Sequence, residues 1–338
     1  MNILSVESSC DETAVAIVRD GRTVLADCIN SQVELHKLYG GVVPEIASRK
    51  HIEAIYALAD QALATAKLGR EDIDAIAVTY APGLIGAVLV GVNFAKAAAL
   101  AMNKPLIPVH HIRGHIAANY LAYPDLQPPF TCLVVSGGHS LIVDVEDYTK
   151  FHILGTTRDD AAGECFDKVA RVMGMPYPGG AALDRLAKEG DDGKYPLPVG
   201  HVSGSELDMS FSGLKTAALN ILHHAEQLSQ EVDRASLCAS FSKAVSDTLV
   251  PRTMKAVLQS GHKKLAIAGG VAANSRIRAD FEAACKKHGV ALFTPPLSLC
   301  GDNGAMIGAQ GYYEYLAGTR ADQSLNAFAT RSIEISYV

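Results

Sequence analysis

At 338 residues, with 49% hydrophobic and 20% charged side chains, the chain is globular in composition and longer than one ordinary core, so two lobes are expected. Lys+Arg 30 against Asp+Glu 36 gives a formal charge of -6, which excludes attraction of nucleic acid by the whole molecule; a local basic patch or a partner subunit must supply it. Scattered cysteines (Cys10, Cys28, Cys132, Cys165, Cys238, Cys285, Cys300), odd in number and without a C-x-x-C pair, argue for reduced thiols rather than disulfides or a thiolate zinc site.

Residues 1–7 show no basic region followed by a long apolar run, so a cytoplasmic protein is expected. The segment 84–102 approaches membrane length, but Gly86, Gly91, Asn93 and Lys96 interrupt it. That predicts a buried helix and no membrane contact.

Residues 2–7 and 13–18 are apolar runs rich in β-branched side chains, separated by Ser8-Ser9-Cys10-Asp11-Glu12. They predict a hairpin whose turn carries hydroxyls and acids. A third strand is predicted over 23–30. After a loop containing Gly40-Gly41, Pro44 opens a helix to about residue 66, with Ile46, Ile52, Ile55, Leu58, Ala59 and Leu63 near one face. A strand at 74–80, a small-residue helix at 85–102 and a strand at 106–109 follow. The last runs into a helix carrying His110-His111-Ile112-Arg113-Gly114-His115, and this alternation is an α/β signature.

Residues 124–129 mark a boundary, dividing an N-terminal lobe, 1–125, from a C-terminal lobe, 126–338. Strand 130–135, turn Ser136-Gly137-Gly138-His139 and strand 140–145 repeat the opening pattern, so lobes of related topology are expected. A helix over 158–173, a turn at 176–180, a helix from Ala181 and an irregular stretch over 190–213 come next. A long helix over 232–259, broken or kinked at Pro251, precedes a buried strand at 264–268 that ends in Gly269-Gly270. Asn274 begins another helix, 291–294 is the last strand, and 302–316 the last helix, with Asp302 a candidate N-cap.

His111 and His115 stand four apart, which on a helix places both imidazoles on one face, a geometry for one metal ion or for a buried polar face. A metalloprotease needs glutamate directly after the first histidine as general base; Ile112 occupies that place. The third ligand expected is Asp302. The turns at 8–13, 136–138 and 269–274 each follow an apolar strand, where glycine lets backbone N–H groups converge on an anion and hydroxyls add donors. No G-x-x-x-x-G-K-[ST] is present and no G-x-G-x-x-G follows the first strand, so Walker and dinucleotide readings are poor. Two related lobes with such turns suggest the nucleotide arrangement of actin, sugar kinases and heat-shock ATPases.

Val6-Glu7-Ser8-Ser9-Cys10-Asp11-Glu12-Thr13, Tyr39-Gly40-Gly41-Val42-Val43-Pro44-Glu45, the histidine motif, Val135-Ser136-Gly137-Gly138-His139, Asp160-Ala161-Ala162-Gly163-Glu164, Phe211-Ser212-Gly213-Leu214-Lys215-Thr216, Gly269-Gly270-Val271 with Asn274, and Asp302-Asn303 together resemble the bacterial TsaD family of tRNA threonylcarbamoyladenosine transferases. The resemblance covers nearly the whole chain.

It implies an α/β protein of two related actin-like ATPase lobes (ASKHA, ribonuclease H-like), with the active site in the inter-lobe cleft. It implies transfer of threonylcarbamoyl from threonylcarbamoyl-AMP to N6 of the adenosine 3′ of the anticodon in tRNAs reading codons that begin with A. Residue by residue, it places metal ligands at His111, His115 and Asp302, for one divalent iron or zinc ion. It places donor- and adenine-nucleotide-binding positions at Val134, Val135, Ser136, Gly137, Gly138, Asp167, Gly180, Asp184 and Asn274. The implied partners are tRNA, a TsaB-type paralogue in a heterodimer and a TsaE-type ATPase, with a TsaC-type synthase supplying the adenylate. Arg113, where the family is usually acidic or uncharged, and Gly301, where it has threonine, depart from the pattern.

Asp11 and Glu12 are the candidate catalytic acids, although turns often carry such residues for capping alone. Arg49-Lys50, Lys263-Lys264, Arg276 with Arg278, and Lys286-Lys287 are candidate RNA contacts, though each also suits a solvated helix face. The rival expectation is a nucleotide-gated ATPase or scaffold subunit of the same modification complex, in which the histidine pair and Asp302 have no place.

Overall fold

Residues 1–337 are described by a computed structural model. Strand β1 (Asn2–Glu7) lacks hydrophobic alternation because both of its faces are covered. Leu4 and Val6 join one apolar cluster with Ile55, Leu58, Val88 and Val92, while Ile3 joins another with Ile107, Val109, Met306 and Ile307. Each such side chain contributes roughly 1.5–3 kcal/mol by leaving water.

β1 pairs antiparallel with β2 (Glu12–Arg19), which pairs antiparallel with β3 (Thr23–Ser31); β1 also pairs parallel with β4 (Ala75–Ala81), and β4 with β5 (Leu106–His110). The resulting order is β3-β2-β1-β4-β5. Helices α1 (Val33–Lys37), α2 (Pro44–Ala66), α3 (Ile85–Met102) and α4 (His111–Ala122) complete this part of the chain.

A second sheet is built from β6 (Phe130–Val135), β7 (Ser140–Asp147), β8 (Lys150–Thr156), β9 (Lys264–Ala268) and β10 (Ala291–Phe293). Its order, β8-β7-β6-β9-β10, repeats the first strand for strand. The expected internal relation of the halves is therefore present in their topology. Helices α5 (Ala162–Val172), α6 (Gly179–Ala187), α7 (Ser212–Gln227), α8 (Arg234–Ser260), α9 (Ser275–His288) and α10 (Gly304–Leu316) follow in chain order.

The chain divides into two units, Met1–Pro128 with Val145–His152 and Pro295–Val338, and Pro129–Asp144 with Ile153–Thr294. The division differs from lobes of 1–125 and 126–338, because α10 packs on β1 and β2 and so returns Asp302 to the unit of the histidines.

Other elements also depart from expectation. Ile52 is 63% exposed; its neighbour His51 is buried instead, bonding Thr13 Oγ1 at 2.7 Å and the Cys10 carbonyl at 3.0 Å. α5 starts four residues later than expected, because Asp159 binds the N-cap residue of α7, Phe211, and Asp160 binds Lys215 within α7. α7, β8 and α1 lie outside the elements expected from the sequence. α8 runs unbroken through Pro251. α3 has the length and hydropathy of a membrane span, yet Val88, Val92, Ala95 and Ala99 lie in the first unit's core.

Candidate active site

The first turn of α4 follows directly on β5, and His110 at its N-cap accepts from Ile112 N through Nδ1 at 3.2 Å. That cap starts the helix at His111, which fixes His111 and His115 one turn apart; their rings meet edge-on, with centroids 4.6 Å apart. Asp302 stands just outside α10. Asn303, not Asp302, is the cap, its Oδ1 accepting from Met306 N at 2.8 Å. The Asp302 carboxylate faces the two histidines instead. Gly304 then anchors the helix start: its carbonyl accepts from Ser5 Oγ at 2.7 Å and its N–H donates to Asp27 Oδ1 at 3.1 Å. A Cβ on Gly304 would lie 2.8 Å from Ala16 N, so only glycine permits this approach.

The three side chains converge. Asp302 Oδ1 lies 3.1 Å from His115 Nε2 and 3.6 Å from His111 Nε2, and one ligand atom of each residue lies within 4.8 Å of the others. Ligand atoms about 2.0–2.2 Å from a tetrahedral ion stand roughly 3.3–3.6 Å apart, a range close to both distances from Asp302 to the histidines. Among the described residues, neither nitrogen of His115, which is 1% exposed, has a hydrogen-bond partner; the 3.1 Å approach to Asp302 is an ion-pair distance without hydrogen-bond alignment. A buried imidazole left this way is costly unless something takes its lone pair. Two imidazoles and one carboxylate are borderline-soft donors of the kind zinc and iron accept.

Glu7, fully buried at the end of β1, completes the arrangement. It accepts from Ser9 N at 2.5 Å and from Thr79 Oγ1 at 2.6 Å, and lies 3.0 Å from His111 Nδ1. A carboxylate on Nδ1 directs the lone pair of Nε2 toward Asp302, the usual outer-shell device of histidine metal sites. Burial alone would push Glu7 up, but the His111 charge beside it and hydrogen bonds from His111 and Ser9 hold it below the usual carboxylate range. For His111, burial pulls down, and Glu7 followed by Asp302 reverses this to about 9.

Asp11 is buried, and Glu12 Oε1 accepts from Ser31 Oγ at 3.0 Å. Burial, the Asp302 charge and the Asp11 charge push Glu12 up to about 9. Glu12 is therefore a neutral acid at neutral pH when the three-residue site holds no cation.

The second unit carries the donor-binding candidates. Val134 and Val135 are fully buried strand residues that can offer only backbone. The turn after them is closed by Ser136 N donating to the His139 carbonyl at 2.8 Å and by His139 N donating to Ser136 Oγ at 3.2 Å. Gly269, at φ +92, presses on it: a Cβ there would lie 2.4 Å from the Val135 carbonyl, and one on Gly163 would lie 2.5 Å from the Ser136 carbonyl. By contrast, a Cβ on Gly137, Gly138 or Gly270 meets nothing within 4 Å, and one on Gly180 only Phe166 Cβ at 4.0 Å. These glycines border open space rather than packing.

Asp167 accepts from Gly179 N at 2.8 Å, Asp184 accepts from Ser275 N at 3.0 Å and Oγ at 2.8 Å, and Asn274 caps α9 through Oδ1. Each thus fixes backbone near these turns. The paired motifs at 160–164 and 211–216 meet as well: Lys215 pairs with Asp160, and Asp159 accepts from Phe211 N at 2.7 Å.

The TsaD family model, described as tRNA N6-adenosine threonylcarbamoyltransferase, matches residues 23–309. The chain belongs to this family. A TsaD relative of that name from Clostridium botulinum (strain 657 / Type Ba4) is 53% identical over 327 residues, 97% of this chain and 96% of its own. One from Moorella thermoacetica is 55% identical over 326 residues, 96% of this chain and 95% of its own. Among solved structures, HypF of T. kodakarensis is similar at TM-score 0.66 and 15% identity, covering 96% of this chain and 49% of that one; this likeness concerns the actin-like ATPase fold alone. TsaD membership makes the rival ATPase or scaffold reading disfavoured.

Several sequence candidates play smaller parts. Arg49 and Lys50 pair with Glu45 and Glu53, and Arg276 with Asp192 and Asp280, so these cations are partly neutralised within the chain. Arg113 points into a buried ion pair with Glu314 at 2.8 Å. Glu7 is not among the sequence candidates, although a carboxylate that closes a buried strand is a visible signal.

Proposed function

We propose that the chain transfers the threonylcarbamoyl group of threonylcarbamoyl-AMP to N6 of the adenosine 3′ of the anticodon, giving N6-threonylcarbamoyladenosine and AMP. The observation that carries the proposal is the convergence of His111, His115 and Asp302, backed by Glu7, in a chain 53% identical to a transferase of that name along 97% of its length. His111, His115 and Asp302 would hold one divalent ion, iron or zinc. When bound, that ion supplies Lewis-acid polarisation of a carbonyl.

The chain's own residues do the rest. Glu7 keeps His111 Nε2 aimed at the ligand cluster. The turn of Ser136, Gly137 and Gly138, with Gly180 and Asn274, cradles the adenylate; Asn274 Nδ2 remains to donate, since Oδ1 caps α9. The N6 amine attacks the carbamoyl carbon, a C–N bond forms, the acyl–phosphate C–O bond breaks and AMP departs. Asp11 receives the proton that N6 loses, and Glu12 lies beside it in the chain. An adenine amine is a poor nucleophile, so orientation must supply much of the acceleration.

We further propose that tRNA is engaged together with a TsaB-type paralogue and a TsaE-type ATPase, with the adenylate made by a TsaC-type synthase, in the cytoplasm. The test is reconstitution with labelled threonine and unmodified tRNA reading A-starting codons, with this chain present, omitted or carrying His115→Ala. Label entering tRNA only with the unaltered chain supports the proposal; label entering without it refutes it.

A further inference from the structure

Arg113 lies on α4 between the two histidines. Its guanidinium is buried with every arm engaged: Nη1 donates to Glu314 Oε1 at 2.8 Å, and Nε and Nη2 donate to the Ile333 carbonyl at 3.0 and 2.6 Å. Its plane lies over Phe151 at 4.8 Å. Glu314, 3% exposed, is also saturated, accepting from Gln310 Nε2 and Thr319 Oγ1 at 3.0 Å each.

The partners are informative. Arg113 is on α4, which carries both histidines, and Glu314 is on α10, which starts two residues after Asp302. Beside the pair the helices approach closely, since a Cβ on Gly114 would lie 2.7 Å from Ile307 Cδ1. The segment that supplies the Ile333 carbonyl also accepts from His110 Nε2, through Arg331 O at 3.0 Å. It is fixed in turn by Phe328 N donating to the Tyr80 carbonyl at 2.9 Å and by the packing of Leu325 and Ala327 in the core. Residues on both sides of His111 are therefore held by one C-terminal strap.

We propose that Arg113, bonded to Glu314 and to the Ile333 carbonyl, is a positioning residue that fixes α4 against α10 and so sets the spacing of His111, His115 and Asp302. A buried ion pair gains little net stability over apolar packing, but its fork geometry defines a single register. The inference rests on the metal-site reading above, and the test separates the two.

Full-length, metal-stripped protein is titrated with Co2+ alone, reading the d–d absorption and the affinity by chelator competition, for Arg113→Lys, Arg113→Met with Glu314→Met, and His115→Ala. Lysine keeps a charge for Glu314 but loses the fork to Ile333; the methionine pair removes both charges together, and if it does not fold, Arg113→Lys decides. The expected result is Co2+ affinity weakened by about tenfold to a hundredfold with an altered d–d band, while far-UV circular dichroism is unchanged. A folded Arg113→Lys protein with the unaltered band and affinity, beside a His115→Ala protein that has lost Co2+, overturns the positioning role. Unaltered Co2+ binding by His115→Ala overturns the metal-site reading itself.

Discussion

Replacing Glu7 by glutamine changes one oxygen to a nitrogen and removes one charge at the centre of the site. The rise of His111 from 6.5 to about 9 corresponds to roughly 3 kcal/mol in favour of the protonated ring, at about 1.36 kcal/mol per unit. Glu7 acts more strongly than Asp302 in opposing burial, so at least half of that preference, about 1.5 kcal/mol or more, should vanish. His111 should then titrate more than one unit lower in the metal-free protein, measured by NMR of the ring carbons. Glutamine also presents an amide NH2 where Ser9 N, Thr79 Oγ1 and His111 Nδ1 all seek acceptors, so one donor is left facing another. Zn2+ affinity should fall by about tenfold to a hundredfold, measured by chelator competition. A Glu7→Gln protein with His111 still near 9 and unaltered Zn2+ affinity would refute the assignment of Glu7 as the group that orients His111.

The same charges give a pH dependence with a definite sign. His111 is raised, so its contribution to metal-free stability is complete below pH 6.5 and is lost as pH rises through about 9; Glu7 is lowered, so its contribution is lost only as pH falls below its usual range. A divalent ion must displace the His111 proton, so binding near pH 7 should release a proton and strengthen toward pH 9, checked by calorimetry in buffers of different ionisation enthalpy; proton-neutral binding contradicts it. Gly269→Ala should lower the melting temperature by several degrees through overpacking against the Val135 carbonyl, whereas Gly137→Ala should melt normally and lose adenylate binding; the reverse pattern would show that the cradle is misplaced. Asn303→Ala should cost about 1 kcal/mol in denaturant unfolding as the α10 cap is lost, and should weaken metal binding because Asp302 adjoins that cap; unaltered values in both measurements contradict the assignment.

Much of the fold was legible because local chemistry and tertiary role agreed. The β-branched runs flanking the Ser8–Glu12 turn are strands in every context this sheet offers, and Pro44 and Asn274 start helices for the reasons their side chains predict. Legibility failed where long-range partners decide. The Asp159 and Asp160 carboxylates are bound by residues some fifty positions downstream, which delays α5, and α7 starts at Ser212 after Phe211, an N-cap whose side chain cannot announce it. Asn303 and Asp302 are both good caps in isolation; only the folded chain assigns one to the helix and leaves the other to the histidines. Histidine spacing suggested the ligand pair, and the family resemblance supplied Asp302. Glu7 and Arg113 needed the structure, since their partners lie about one hundred and two hundred residues away.

The central claim is that transfer takes place at the His111, His115 and Asp302 site. A single-turnover experiment with preformed threonylcarbamoyl-AMP, unmodified tRNA and the reconstituted complex tests it most directly, using metal-stripped chain before and after refilling with Zn2+ or Fe2+. The account predicts N6-threonylcarbamoyladenosine only after refilling, and none from His115→Ala under the same conditions. Equal product from stripped chain, or from His115→Ala, would contradict it.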